Sequence, residues 1–168
     1  MISRQYVETM SAYNAWMNVR LYESCARLSD IDRKRDVGAF FKSLHGTLNH
    51  LLVGDRVWMA RFKGLPSLIK ALDQELYSDF EELREQRVGT DREIISWAAS
   101  LSDTSIGSDL SYMSIVNPQP RTIPLRFALV HFFNHQAHHR GQVTTLLMQL
   151  GIDPGVTDLL GMPELQPR

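Results

Sequence analysis

The sequence is short of nearly everything that would mark a specialised environment. One cysteine, Cys25, in 168 residues excludes an intrachain disulfide and any cysteine-rich zinc site, which suits a reducing cytoplasm. No uncharged apolar run approaches the ~18 residues of a membrane-spanning helix, and Met1-Ile2-Ser3-Arg4-Gln5 lacks the apolar stretch of a secretory signal. Neither sign of charge is in excess: 18 Lys+Arg against 19 Asp+Glu give a net charge of −1, so there is no general attraction for phosphate backbones or anionic lipid. Nucleic acid and membrane are therefore not expected partners. What is present, 43% hydrophobic and 22% charged residues, is the balance of a globular chain, and residues 1–168 are expected to form one domain.

Periodicity predicts a helical protein. Tyr6, Met10, Tyr13, Met17, Leu21 and Cys25 recur at helical spacing between Ser3 and about Leu28, a stretch without Pro or Gly. A connection follows over Ser29–Gly38. A second helix is predicted from Phe40 and Phe41 through Leu48, Leu51 and Trp58 to Lys63-Gly64. Pro66 and Ser67 suit a short helical piece. A third helix is predicted over Ser78–Ser102, with Ser78-Asp79-Phe80-Glu81 as a capping box and an interruption at Val88-Gly89-Thr90-Asp91. Leu110–Val116 alternates, and Asn117-Pro118-Gln119-Pro120 punctuates it, which predicts a short strand pair before the last helix. That helix should run from Pro124, at its first position, to Leu150, with Gly151 as its stop, leaving a tail along the surface. Four long helices with little strand point to a four-helix bundle, an architecture whose interior hosts metal sites.

Four of the six histidines, His131, His135, His138 and His139, fall within nine residues of the last helix. At ~100° per residue, His135 and His139 point furthest toward the apolar stripe, whereas His131 and His138 sit at its edge. Positions four apart bring two imidazoles within reach of one ion. Two ligands alone hold a metal weakly, so a third is needed from elsewhere; His45 and His50 on the second helix are the candidates, and the wheel does not choose between them. The sequence contains no His-Glu-x-x-His motif and no Glu-x-x-His pair, which leaves a mononuclear histidine site. Asp55, ~140° from His50, is placed for a salt bridge or a subunit contact. Trp58 reads as core, Cys25 as a small buried filler.

The stretch His131-Phe132-Phe133-Asn134-His135-Gln136-Ala137-His138-His139-Arg140-Gly141-Gln142 resembles the DinB-like family of damage-inducible bundle proteins. Tyr13-Asn14-Ala15-Trp16-Met17-Asn18-Val19-Arg20-Leu21 agrees with that family, as do Leu48-Asn49-His50 with Asp55, Trp58, Arg61 and Gly64, and Gly151-Ile152-Asp153-Pro154-Gly155 to Asp158. The resemblance implies a four-helix bundle with up-down-down-up connectivity, a homodimer, and a divalent metal, zinc before nickel or another transition ion. Its implied ligands are His50, His135 and His139, which selects His50 over His45. Arg140 and Gln142 also match, with an interhelical or dimer contact competing with a pocket role. Relatives of this group resemble thiol-dependent S-transferases. The implied function is thus a metal-dependent enzyme activating a low-molecular-weight thiol or water; the alternative is a non-catalytic, metal-stabilised stress-response or binding protein. No side chain is assigned as catalytic.

Overall fold

The computed structural model describes residues 2–166. Among them are six α-helices, α1 (Arg4–Ala26), α2 (Asp30–Lys34), α3 (Leu44–Phe62), α4 (Phe80–Ser100), α5 (Asp103–Ile106) and α6 (Leu125–Gln149), and two strands, β1 (Asp109–Met113) and β2 (Pro120–Pro124). The strands pair antiparallel with Leu110 opposite Ile123, as the alternation in that stretch predicts. No described helix is long and apolar enough to cross a membrane.

Local chemistry sets the helix ends. Ser3, Ser29, Ser43, Asp79 and Ser102 each accept a backbone N–H of the first turn that follows, satisfying donors the helix leaves free. Helix α6 stops at Gly151, whose φ of 79° favours a residue without Cβ. There Gly151 N–H donates to Met148 O at 3.0 Å and Ile152 N–H to Leu147 O at 2.8 Å, and Ile152 packs on the same apolar cluster as Leu147.

Several boundaries differ from the sequence reading. The connection after α1 contains α2, short and capped by Ser29. Helix α3 begins at Leu44 rather than Phe40, because residues 39–42 close a turn in which Lys42 has φ 66° and Lys42 N–H donates to Ala39 O. Pro66 and Ser67 lie in irregular chain, not in a helix. Helix α4 is capped by Asp79 instead of Ser78 and runs unbroken through Gly89. Pro124 precedes α6 as its cap residue. The tail is more than a surface strand: Met162 and Pro154 are buried, and Tyr13 Oη donates to Thr157 O at 2.6 Å.

Helix α1 packs on α4 and α6, and α3 packs on the same two. The core is split in two by polar residues. One apolar cluster contains Met17, Leu21, Leu48, Leu52, Leu83 and Leu147; the other contains Val7, Met59, Ile94, Leu129, Phe132 and Phe133. Between the residues that each long helix gives to these clusters it contributes buried polar groups: Asn14 and Asn18 from α1, Asp55 from α3, Arg87 and Asp91 from α4, Gln136 and Arg140 from α6. They bond to one another. Arg87 Nη1 meets Asp55 Oδ2 at 2.6 Å and its Nη2 meets Asp91 Oδ1 at 2.8 Å. Asn14 and Asn18 donate to Asp91, Gln136 Nε2 donates to Asp55 Oδ1 at 2.9 Å, and Arg140 donates to Asn14 Oδ1. The layer thus holds two guanidinium charges and two carboxylates: Arg87 meets both carboxylates directly, and Arg140 is linked to Asp91 through Asn14, the compensation that buried charge requires.

Candidate metal centre

Gln136 and Arg140, fastened into that polar layer, each follow one residue after a histidine. Their bonds fix the rotation of α6 and aim His135 and His139 at α3, where His50 meets them. His50 Nε2 lies 3.3 Å from His135 Nε2 and 3.1 Å from His139 Nε2. One ligand atom from each ring falls within 4.8 Å of the others. A tetrahedral ion with metal–nitrogen bonds of ~2.0 to 2.1 Å would set its nitrogens ~3.3 to 3.4 Å apart, close to the spacing seen.

Proton placement makes the cluster more than a proximity. His50 Nδ1 donates to the Leu72 carbonyl at 2.8 Å, and a carbonyl only accepts, so the Nε2 of neutral His50 carries a lone pair. His139 Nδ1 donates to Gln142 Oε1 at 2.8 Å, which turns its Nε2 lone pair inward as well. Two lone pairs therefore face each other at 3.1 Å, and only His135 retains a ring proton to share. A cation relieves that repulsion, and the bonds at Nδ1 are those that orient metal-bound imidazoles. The donor set fits a divalent transition ion.

Electrostatics favour the same neutral state. Burial, reinforced by the neighbouring histidines, pushes His135 down to about 3. Burial also lowers His139 to about 4, partly opposed by the bond to Gln142, and lowers His50. Unfolded histidines take up protons near pH 6.5, so below that value the unfolded chain binds more protons than the folded one. Stability of the metal-free protein should thus be full above about pH 6.5 and decline as pH falls toward the depressed folded values. Urea unfolding of chelated protein at pH 7.5 and 5.5, above the carboxylate range, checks this: the midpoint should drop, and the drop should shrink in His135→Gln. A midpoint independent of pH would contradict the burial assigned to these rings.

Other residues bring the trio together. Gly54, one turn after His50, is in contact with His135; a Cβ there would come within 2.6 Å of His135 Cε1. A mid-helix glycine costs about 1 kcal/mol against alanine, and here it admits the imidazole. Gly54→Ala is accordingly expected to raise helix propensity yet weaken metal binding at least about tenfold by displacing His135, which competition with a chromophoric chelator would measure. Phe41 stacks on His50, centroids 3.8 Å apart and planes 17° apart. His45 stays outside the cluster. Buried, it bonds the Tyr77 carbonyl at 2.9 Å, while Asn49 Oδ1 accepts from Leu76 and Tyr77 N–H. These bonds fasten residues 63–79 along α3, the connection that also supplies the Leu72 carbonyl to His50.

His131 and His138 are exposed and lie beside the trio. His131 is 5.0 Å from the Trp58 ring, and Gln142 Nε2 donates to His138 Nε2 at 3.3 Å. Arg140 makes an interhelical contact, bonding Asn14 and lying over Tyr13, whereas Gln142 belongs to the centre. Asp55 forms a buried salt bridge within the chain. Trp58 is both core and wall, buried among Met59, Ile94 and Phe132 while one side faces the site. Cys25 is packed in the core, its thiol pushed up to about 12 by burial. Phe41, Leu72 and the close approach at Gly54 were not legible as parts of a site; the i,i+3 spacing of His139 and Gln142 was the signal for Gln142.

Two cavities adjoin the trio. One of about 530 Å³ is walled by Phe40, Phe41, Asp73, His139 and Gln142; the other, about 320 Å³, by Trp58, Arg61, Tyr112, His131 and His135, and His50 lines both. This is a helical protein with three histidines gathered between α3 and α6 beside two cavities. The profile of the DinB family matches residues 1–168, and the chain belongs to that family. It is 26% identical over 155 residues to Protein DinB of Bacillus subtilis (strain 168), covering 87% of each. Its fold is similar to the crystal structure of a DinB-like protein from Bacillus cereus ATCC 10987, with a TM-score of 0.60 at 19% identity over 84% of this chain and 91% of that one.

Proposed function

We propose that His50, His135 and His139 hold one divalent transition ion, zinc before nickel, and that the protein is a metal-dependent enzyme acting on a low-molecular-weight thiol or on water. The observation that carries this reading is the pair of inward lone pairs on His50 and His139, 3.1 Å apart, beside open cavities. Such an ion, when bound with a free coordination position, lowers the pKa of a water or thiol placed there. The chain's own residues set the rest. Leu72 O and Gln142 Oε1 orient the rings, Phe41 shields His50 on one face, and Gly54 lets His135 approach. The sole thiol of the chain is buried away from the trio, so a reacting sulfur has to come from a small molecule. In the transfer proposed, sulfur forms a bond to an electrophilic carbon, the leaving group departs with its electron pair, and the thiol proton passes to solvent.

Metal-loaded protein incubated with a panel of thiols and alkylating electrophiles tests this reading. Product formation should require both metal and thiol and should disappear in His139→Ala. No metal-dependent turnover across the panel would contradict it. The competing reading is a structural metal that ties α3 to α6, supported by the fact that the trio bridges those two helices alone. It is favoured if chelation unfolds the protein and no exchangeable ligand is found on the ion.

We infer the up-down-down-up order for the four long helices. Contacts advance together along α1 and α6, from Tyr6 with Phe133 to Asn14 with Arg140, and along α3 and α4, from Asp55 with Arg87 to Lys63 with Glu93. They run in opposite senses between α3 and α6, from His50 with His139 to Trp58 with His131. A homodimer, which the family resemblance implies, would give about twice the 19.2 kDa chain mass by light scattering.

A further inference from the structure

The smaller cavity carries more charge than its fold requires. Arg61 comes from the last turn of α3, and its guanidinium lies between two rings, 4.5 Å from the Trp58 centroid and 4.4 Å from that of Tyr112. Stacking occupies the faces of a guanidinium and leaves its N–H edge free, the edge that matches an oxyanion with two parallel hydrogen bonds. Arg121, exposed on β2, lines the same cavity. Among the described residues no carboxylate lines it and neither arginine is in an ion pair. Burial works against the charge on Arg61, Tyr112 opposes that effect in part, and Arg121 reinforces it. Two unneutralised guanidinium groups thus share about 320 Å³ with His50, His131 and His135. Packing alone would be served by an apolar side chain between Trp58 and Tyr112.

We propose that this cavity is an oxyanion subsite, in which Arg61, with Arg121 at the strand side, holds a carboxylate or phosphate group of the small molecule whose other end reaches the three histidines. The proposal rests on the reading that those histidines hold a metal open to substrate. It adds a selection rule: a negatively charged thiol is preferred to a neutral one of similar size.

Cobalt(II)-loaded protein provides a readout independent of turnover, because thiolate ligation produces an absorption band. The probes are 3-mercaptopropionate and the uncharged 2-mercaptoethanol, followed by calorimetric titrations with succinate and inorganic phosphate. Wild type should bind 3-mercaptopropionate about tenfold more tightly than 2-mercaptoethanol, and Arg61→Gln should reduce that preference below about threefold with cobalt content unchanged. Arg121→Ala, at an exposed strand position, should lower it in part, and carries the comparison if circular dichroism shows Arg61→Gln to be unfolded. Equal affinity of wild type for the two thiols overturns the subsite and leaves the thiol reading intact. If neither thiol ligates cobalt, the thiol reading fails by itself. The subsite then stands if succinate or phosphate binds and Arg61→Gln weakens that binding about tenfold, and is overturned if neither anion binds or the variant binds equally well. Which of the two anions binds distinguishes carboxylate from phosphate.

Discussion

Untagged His135→Ala should emerge from purification with less than about a tenth of an equivalent of transition metal, against about one per chain in wild type, by elemental analysis. Three imidazoles hold a divalent ion tightly; two, reaching from different helices, hold it weakly. Removing His135 leaves His50 and His139 in place, because their orientation comes from Leu72 O and Gln142 Oε1 rather than from His135. The loss should therefore be of metal and not of fold. His131→Ala and His138→Ala, exposed neighbours of the trio, should keep the wild-type metal content. Unchanged content in His135→Ala, or equal loss in all three variants, would remove the assignment.

Asp55→Ala should destabilise the protein by about 3 to 5 kcal/mol, because two buried guanidinium groups are left with one carboxylate, Asp91, and Gln136 loses its acceptor. Asp55 is 1% exposed and Arg87 2%, so water cannot replace the lost carboxylate without opening the core. For a chain of this size the change corresponds to a fall in Tm of about 6 to 20 °C. Gln136 would lose its acceptor at the same time, and with it one of the bonds that set the rotation of α6. Metal affinity should fall along with stability in this variant, whereas His135→Ala affects metal first. A loss under about 1 kcal/mol by urea unfolding would show that the polar layer is not the buried, mutually compensating network described.

How much of this was readable before folding depends on whether the information was local. The pairing of His135 with His139 follows from four-residue spacing on a helix, and the structure brings both to one point. The choice of His50 over His45 did not follow from spacing, since both lie on a broad apolar face of α3. It is decided by the connection 63–79, which has no periodicity to read: its Tyr77 carbonyl takes His45 and its Leu72 carbonyl takes His50. The apparent break at Val88-Gly89-Thr90-Asp91 misled because Gly, Thr and Asp are weak helix formers. Asp91 instead anchors α4, accepting from Asn14, Asn18 and Arg87, and tertiary contact overrides propensity there. Phe40 and Phe41 look like the start of an apolar helix face. Yet Phe40 is 85% exposed and Phe41 covers a histidine, a division set by the turn at Lys42.

The polar layer shows the same limit from the other side. In sequence Asp55 is placed for a salt bridge and Arg140 for an interhelical contact, but their partners, and the roles of Arg87, Asp91 and Gln136, are not legible there, because charge compensation between helices leaves no local mark. The Gln136 and Arg140 positions acquire meaning only beside His135 and His139, when the bonds that hold one set also aim the other.

Anomalous diffraction at the metal edge, from crystals of untagged protein carrying about one equivalent of bound ion, locates the ion directly. A single strong peak is expected ~2.0 to 2.1 Å from the Nε2 atoms of His50, His135 and His139 together. A peak elsewhere in the chain, or none between these three nitrogens in metal-loaded crystals, would contradict it.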